Sequence, residues 1–191
     1  GELMRIAPHA DLLHIDVADG HFAPAMLFFP DLVAAISKSS AVPIHVHLMC
    51  ADHILLQQAL QFAEAGANII SVHAENGAAV GPVFDLLESK GIAKGIVLNV
   101  TTPVSAAEAF VPRVDMFTLL GTAIGVKGQN LNEQAPARLQ EAQKLIKREG
   151  RRIVLAADGG IREHTVPLLR KAGAETVVLG SLAFNAPDLP A

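Results

Sequence analysis

Four residues of cation-binding type close short apolar runs. His14 and Asp16 end Leu12-Leu13-His14-Ile15-Asp16-Val17, His47 ends Ile44-His45-Val46-His47-Leu48-Met49, and Asp158 ends Ile153-Val154-Leu155-Ala156-Ala157-Asp158. Residues two apart on a strand point to the same face, so His14 and Asp16 look into one space. Two imidazoles and two carboxylates make a four-coordinate set for a divalent cation, and such a set suits Zn²⁺, Fe²⁺, Co²⁺ or Mn²⁺. Asp is depleted in strands and is almost never buried without a compensating charge. A metal supplies that charge. Paired His–Asp hydrogen bonds without a metal are the rival explanation.

A second group of residues suits anions. Asp158 runs into Gly159-Gly160-Ile161, and the last apolar run ends Leu179-Gly180-Ser181, so glycine backbone N–H groups at two strand ends can approach a phosphate. A third glycine-rich loop spans 121–129, where Lys127 offers a point charge, or alternatively is a solvated loop lysine.

The elements that must position these residues alternate without a break. Strands are expected near 12–17, 44–48, 69–73, 95–99, 115–120, 152–157 and 176–180, with helices near 31–38, 52–65, 78–90, 104–110, 132–149 and 163–172. Asp52 and Asn132 are expected N-caps, and Gly66, Gly91, Gly150 and Gly173 lie just past helix ends. Runs such as Ile69-Ile70-Ser71-Val72-His73 are apolar on both faces, as in a parallel sheet covered by helices. Alternation of this kind leaves an open doubly wound sheet or a closed barrel. Six of the seven strands end in Asp16, His47, His73, Asn99, Asp158 and Gly180-Ser181, and a site spread over so many strand ends selects the α/β class's (β/α)8 TIM barrel. Seven strands are one short, and Glu2-Leu3-Met4-Arg5-Ile6-Ala7 has the pattern of a helix feeding the 12–17 strand. Residues 1–191 are therefore expected to form a single barrel domain lacking its first strand and, with two prolines after Phe184, most of its last helix.

Composition narrows the function classes. At 51% hydrophobic residues the chain has ample material for a core, and no apolar run approaches a membrane span or a signal peptide. A net charge of −4 without a Lys/Arg block argues against nucleic acid. The single Cys50 excludes an internal disulfide and agrees with a cytoplasmic location. A homo-oligomer is compatible with everything in the sequence.

At these residues the chain resembles the ribulose-phosphate 3-epimerase family. The likeness runs from about residue 10 to 184 through His14-Ile15-Asp16-Val17-Ala18-Asp19-Gly20-His21-Phe22-Ala23-Pro24, His47-Leu48-Met49, Val72-His73-Ala74-Glu75, Leu98-Asn99, Thr102-Pro103, Asp158-Gly159-Gly160-Ile161 and Gly180-Ser181. The resemblance implies a (β/α)8 barrel and an isomerase that epimerises a ketose phosphate, of the ribulose 5-phosphate to xylulose 5-phosphate type, in pentose phosphate metabolism. It further implies that His14, Asp16, His47 and Asp158 hold one divalent metal, with Asp16 and Asp158 also moving protons to and from a cis-enediolate. Met49, Gly125, Lys127, Gly128, Gly159, Gly160, Gly180 and Ser181 are the expected substrate and phosphate contacts.

Departures from the family pattern concern the sugar. Ala18 and Leu120 stand where the family has methionines, and Ala123-Ile124-Gly125-Val126-Lys127-Gly128-Gln129 stands in place of Asn-Pro-Gly-Phe-Gly-Gly-Gln. The family's first-strand serine has no counterpart. Alternatives are an epimerase of a hexulose 6-phosphate such as allulose 6-phosphate, and a non-catalytic sugar-phosphate-binding paralogue. A related decarboxylase or aldolase is a weaker fit, since the Asp-x-Lys-x-x-Asp strand motif of those decarboxylases is missing.

Overall fold

A computed structural model describes residues 2–125 and 128–187. Its strands are β1 (Leu13–Asp19), β2 (Met26–Leu27), β3 (Ile44–Met49), β4 (Ile69–His73), β5 (Ala93–Leu98), β6 (Met116–Leu120), β7 (Val154–Asp158) and β8 (Thr176–Val177). The helices are α1 (Glu2–Ile6), α2 (Pro30–Ser39), α3 (Asp52–Glu64), α4 (Val80–Ser89), α5 (Ala135–Arg148), α6 (Val166–Lys171) and α7 (Ser181–Phe184). One sheet runs in the order β2-β1-β3-β4-β5-β6-β7-β8. All neighbours are parallel except β2, which folds back antiparallel on Ala18 and Asp19. Sequential order without a reversal is barrel order, whereas a doubly wound sheet reverses at its switch point. The seven expected parallel strands are thus present, and among the described residues the sheet is open between β8 and β1. Across that seam α1 meets α7, where Arg5 donates to the carbonyls of Phe184 at 2.8 Å and Ala186 at 3.0 Å.

Strand periodicity of two separates the core from the site. On β3 every residue is buried. Ile44, Val46 and Leu48 join the main hydrophobic core with Leu55 and Phe62 of α3, while His45, His47 and Met49 take the alternate positions, which face the barrel interior. Facing Ser71 across the β4–β5 ladder is Gly95, where a Cβ would lie 1.9 Å from the Ser71 oxygen. Only a residue without a side chain fits there, and Ser71 is left free to bond His45.

Five expectations need correction. Residues 104–110 form a 3₁₀ turn (Val104–Ala107) followed by another at Val111–Arg113, because Pro112 blocks a continuing helix. The last strand is two residues instead of five, since an edge strand with a partner only on β7 gains ladder bonds on one side, the last from Val178 N–H to Ala157 O at 3.0 Å. The β2 hairpin was not expected, its two residues being too few to show a period and largely exposed. Asp52 starts α3 but caps nothing, its carboxylate accepting instead from Asn76 Nδ2 at 2.8 Å. Asn132 does not cap α5 either, since that helix begins at Ala135 behind Gln134, and it accepts from Gln134 N–H at 2.8 Å in the turn before it. Gly66, Gly91, Gly150 and Gly173 all have the left-handed φ expected past helix ends.

Candidate metal centre

Because β1 and β3 pair with Asp16 opposite His47, two of the four candidate ligands are adjacent by register alone. His14 lies two residues before Asp16 on the same face, and β7 brings Asp158 to the group. His47 Nδ1 is 2.9 Å from Asp16 Oδ1 and His14 Nε2 is 3.2 Å from the same oxygen. Asp158 Oδ2 lies 3.7 Å from His14 Nε2 and 3.9 Å from His47 Nδ1. One ligand atom from each residue falls within 4.8 Å of all the others. A tetrahedron with arms of about 2.1 Å has edges of about 3.4 Å, and the measured N···O separations bracket that value. The donor set and spacing therefore fit a divalent cation.

Electrostatics supports the same need. Burial opposes ionisation of Asp16, but hydrogen bonds with His14 and His47 outweigh it and hold the carboxyl far below the usual range. Burial pushes Asp158 the other way, with the Asp16 charge adding to it and the two imidazoles only partly compensating. Burial likewise lowers the His47 imidazole, whereas at His14 the burial effect is outweighed by Asp16 and Asp158 and the imidazole is raised. Two carboxylates converging beside buried imidazoles make a recess that a cation relieves.

Behind the ligands run two chains of hydrogen bonds. His14 Nδ1 faces His45 Nδ1 at 3.1 Å, and His45 Nε2 meets Ser71 Oγ at 2.7 Å. His47 Nε2 faces His73 Nε2 at 2.8 Å, and His73 Nδ1 meets Glu75 Oε2 at 3.1 Å. Glu75 Oε1 in turn accepts from Asn99 N–H at 2.8 Å and from the Thr102 hydroxyl. Arg138 of α5 clamps that corner by donating to the carbonyls of Asn99, at 2.9 Å, and Val100. Phe22 packs on His73 with ring centroids 4.8 Å apart. Its loop is tied down by Asp19, which accepts from His21 and Phe22 N–H at 2.8 Å each and from Ala51 N–H at 2.7 Å.

The ligands open into a small cleft of about 210 Å³. Asp16, His47 and Asp158 supply its charge and hydrogen bonding, and Ala18, Ala23, Leu27, Met49, Leu120 and Ile124 its apolar wall. Gly125 and Gly159 of the expected anion contacts line it, together with Thr122 and Ala123, which sequence reasoning did not single out. At Gly125, with φ of 74°, a Cβ would lie 2.7 Å from Pro24 Cδ, so the 122–125 loop packs directly on the loop after β1. At Gly159, with φ of 87°, a Cβ would lie 2.3 Å from Thr122 Oγ1. Gly128, Gly160, Gly180 and Ser181 do not line this cleft, and Lys127 lies outside the described residues. Gln129 braces the loop by donating to Ala123 O and accepting from Ala123 N–H, each at 3.3 Å. In the sequence His73 stands out as a strand-end residue and Glu75 only as part of a motif, and no single-sequence signal showed that they stand behind His47. Cys50 is buried, with burial and then Asp19 pushing its thiol up to about 12, so it is a packing group.

The profile of the ribulose-phosphate 3 epimerase family matches residues 2–184. Ribulose-phosphate 3-epimerase of Bacillus subtilis is 34% identical over 94% of this chain and 82% of its own length. That of Aquifex aeolicus is 35% identical over 95% and 81%, and that of Escherichia coli 32% identical over 96% and 81%. Among solved structures, a mutant tryptophan synthase α-subunit from Pyrococcus furiosus superposes with TM-score 0.73 at 17% identity, covering 96% of this chain and 81% of that one. Orotidine 5′-phosphate decarboxylase from Pyrococcus horikoshii gives 0.67 at 16% identity, covering 98% and 85%. At such identities these two likenesses speak for the barrel fold alone.

Proposed function

The chain belongs to the ribulose-phosphate 3-epimerase family, and we propose from that premise how its own residues carry out the reaction of ribulose 5-phosphate to xylulose 5-phosphate. The observation that carries the reading is the convergence of Asp16 and Asp158, from strands on either side of the sheet's seam, on one cleft together with His14 and His47. Inverting a carbon beside a ketone requires a proton to leave one face and another to arrive at the opposite face. A single base cannot do both without letting go of the substrate.

In this proposal Asp16 and Asp158 are the two proton carriers, one oxygen of each held by the ligand cluster and the other free to reach C3. His14, Asp16, His47 and Asp158 hold one divalent ion of the Zn²⁺, Fe²⁺, Co²⁺ or Mn²⁺ kind. When bound, that ion polarises the ketone and so lowers the cost of removing the adjacent proton. Met49, Ala18 and Leu120 keep the reacting carbons in apolar surroundings, where the charges of the cluster act with little screening. Backbone N–H groups at Gly125 and Gly159 orient the phosphate end from the cleft wall, with Gly128, Gly160, Gly180, Ser181 and Lys127 assigned supporting roles around it. Every residue in this scheme comes from a single chain. Among the described residues no helix is long and apolar enough to cross a membrane.

The hexulose-phosphate and non-catalytic alternatives are not favoured, since the curated relatives are named for the pentulose reaction and the site keeps the complete carboxylate pair. Conversion of ribulose 5-phosphate to xylulose 5-phosphate is the direct test. Activity should disappear on chelation and return with a divalent cation; conversion that survives complete metal removal would overturn the metal role.

A further inference from the structure

We propose that Asp19 is a positioning residue: by tying the loop after β1 to the start of α3 it holds one wall of the cleft at its distance from the other, and so sets how tightly the sugar phosphate is bound. The inference rests on the reaction proposed above and concerns a side chain that belongs to neither the cleft lining nor the ligand cluster.

The loop that follows Asp19 and the short β2 carry Ala23, Ala25 and Leu27, which line the cleft. Little apolar burial holds them there. None of the three joins the main core; Ala23 packs instead in a separate small cluster with Ala18 and Met49, against which Phe22, Ala25 and Ile124 lie partly buried. An alanine side chain removes little area from water, and the next apolar residues, Met26, Phe28 and Phe29, are exposed. The β2 ladder adds only the pairs Ala18 with Leu27 and Asp19 with Met26. A wall so thinly packed opens easily unless polar bonds hold it.

Asp19 supplies those bonds. Its Oδ1 accepts from His21 and Phe22 N–H at 2.8 Å each, which closes the turn, and its Oδ2 accepts from Ala51 N–H at 2.7 Å, which fastens the turn to the residue preceding α3. All three are bonds to a carboxylate, the stronger kind. The two oxygens thus have separate tasks: Oδ1 shapes the loop, whereas Oδ2 places it relative to β3, the strand of His47 and Met49. The opposite wall leans on the same loop, since a Cβ at Gly125 would lie 2.7 Å from Pro24 Cδ. Displacing Pro24 therefore releases the 122–125 segment as well, and with it the Gly125 backbone assigned to the phosphate. His14, Asp16, His47 and Asp158 stand apart from these contacts, because strand ladders hold them. Loss of the tie should loosen the grip on substrate and leave the ligand cluster in place.

Asp19→Asn separates the two oxygens. Its amide has a single oxygen, which satisfies two donors when turned toward His21 and Phe22 but only one when turned toward Ala51, so the NH2 group is left facing Ala51 N–H. Ala51→Pro removes the same bond from the other end, at a residue whose φ of −65° is the value proline requires. In each variant KM for ribulose 5-phosphate should rise by roughly tenfold, as for loss of a hydrogen bond to a charged group, with kcat lowered by less than about threefold. The double variant should be no worse than either single one, since both remove one bond. The dissociation constant of ribitol 5-phosphate, which lacks the carbonyl and is not turned over, should rise in step with KM, and Co²⁺ affinity measured by calorimetry should match wild type in all three variants. The proposal is overturned if substrate affinity is unchanged in Asp19→Asn, if the two substitutions act additively, or if Co²⁺ affinity falls together with substrate affinity, which would make Asp19 a support of the ligand cluster. Should Ala51→Pro not fold, Asp19→Asn decides on KM and Co²⁺ affinity alone. Wild-type protein that binds ribitol 5-phosphate without converting ribulose 5-phosphate would count against the catalytic reading, and the ribitol 5-phosphate measurements would then decide the role of Asp19.

Discussion

The two sides of the cleft are built from different materials. On the β1, β3 and β4 side, strands of seven, six and five residues present side chains, and each imidazole there has a defined partner: His14 with His45, His47 with His73. On the β6 to β8 side the strands have five, five and two residues, and besides Leu120, Ile124 and Asp158 the cleft is lined by the loop residues Thr122, Ala123, Gly125 and Gly159. The first side is suited to holding charges and protons at fixed points, where a displacement of an ångström is costly. The second is suited to wrapping an anion, where N–H groups do the binding and glycine allows close approach. Asp158 is the exception that joins them, a charged side chain from the backbone-built side that completes the cluster on the other.

The largest effects should come from the side-chain wall. Asp16→Asn and Asp158→Asn should each lower kcat by about 10³-fold or more at saturating metal, within the range for loss of a general acid or base, while circular dichroism shows the barrel intact. If either variant retained appreciable turnover, the two-carrier division of labour would fail and the asymmetry between the walls with it. The backbone wall should respond differently. Gly159→Ala places a Cβ 2.3 Å from Thr122 Oγ1 at a left-handed φ, a strain of about 1–3 kcal/mol. It should raise KM for the sugar phosphate by roughly tenfold and leave kcat nearly unchanged. A fall in kcat with constant KM would mean that this loop serves the chemistry as well as the phosphate.

The smallest predicted effect is on acid stability. Glu75 is held at about 2 against an ordinary value of 4.5, so as pH falls the unfolded chain takes up its proton first. The native state gains stability from this group above 4.5 and loses it progressively as pH drops toward about 2. Glu75→Gln, followed by urea unfolding across that interval, should show a shallower loss than wild type. The slope should not vanish, because hydrogen bonds also hold Asp16 and Asp19 below their ordinary values against the effect of burial.

Much of the side-chain wall was legible in the sequence because an Asp closing an apolar strand is anomalous, and two such anomalies beside histidines have few physical explanations. The alternation of strands and helices followed from periodicity, the barrel from polar residues at many strand ends, and the helix ends from the glycines that follow them. What lay beyond reach was register. That His47 stands opposite Asp16 depends on which residues of β1 and β3 pair, and that its other nitrogen meets His73 depends on strand tilt and side-chain rotamer, neither of which a pattern of hydrophobic residues encodes. His73 was therefore visible as a strand-end residue without a role. The backbone wall was harder still. A glycine announces conformational freedom but not location, so Gly159 and Gly160 were indistinguishable in sequence although only the first lines the cleft. Pro112 and the one-sided pairing of β8 shortened elements whose composition promised more.

The most direct test is the fate of the C3 hydrogen. Metal-loaded protein incubated with ribulose 5-phosphate in deuterated water, and analysed by proton NMR, should yield xylulose 5-phosphate carrying deuterium at C3, because the proton removed by one carboxylate is not the one delivered by the other. Product formed with its C3 hydrogen fully retained, or binding of the sugar phosphate with no exchange at C3, would contradict the account.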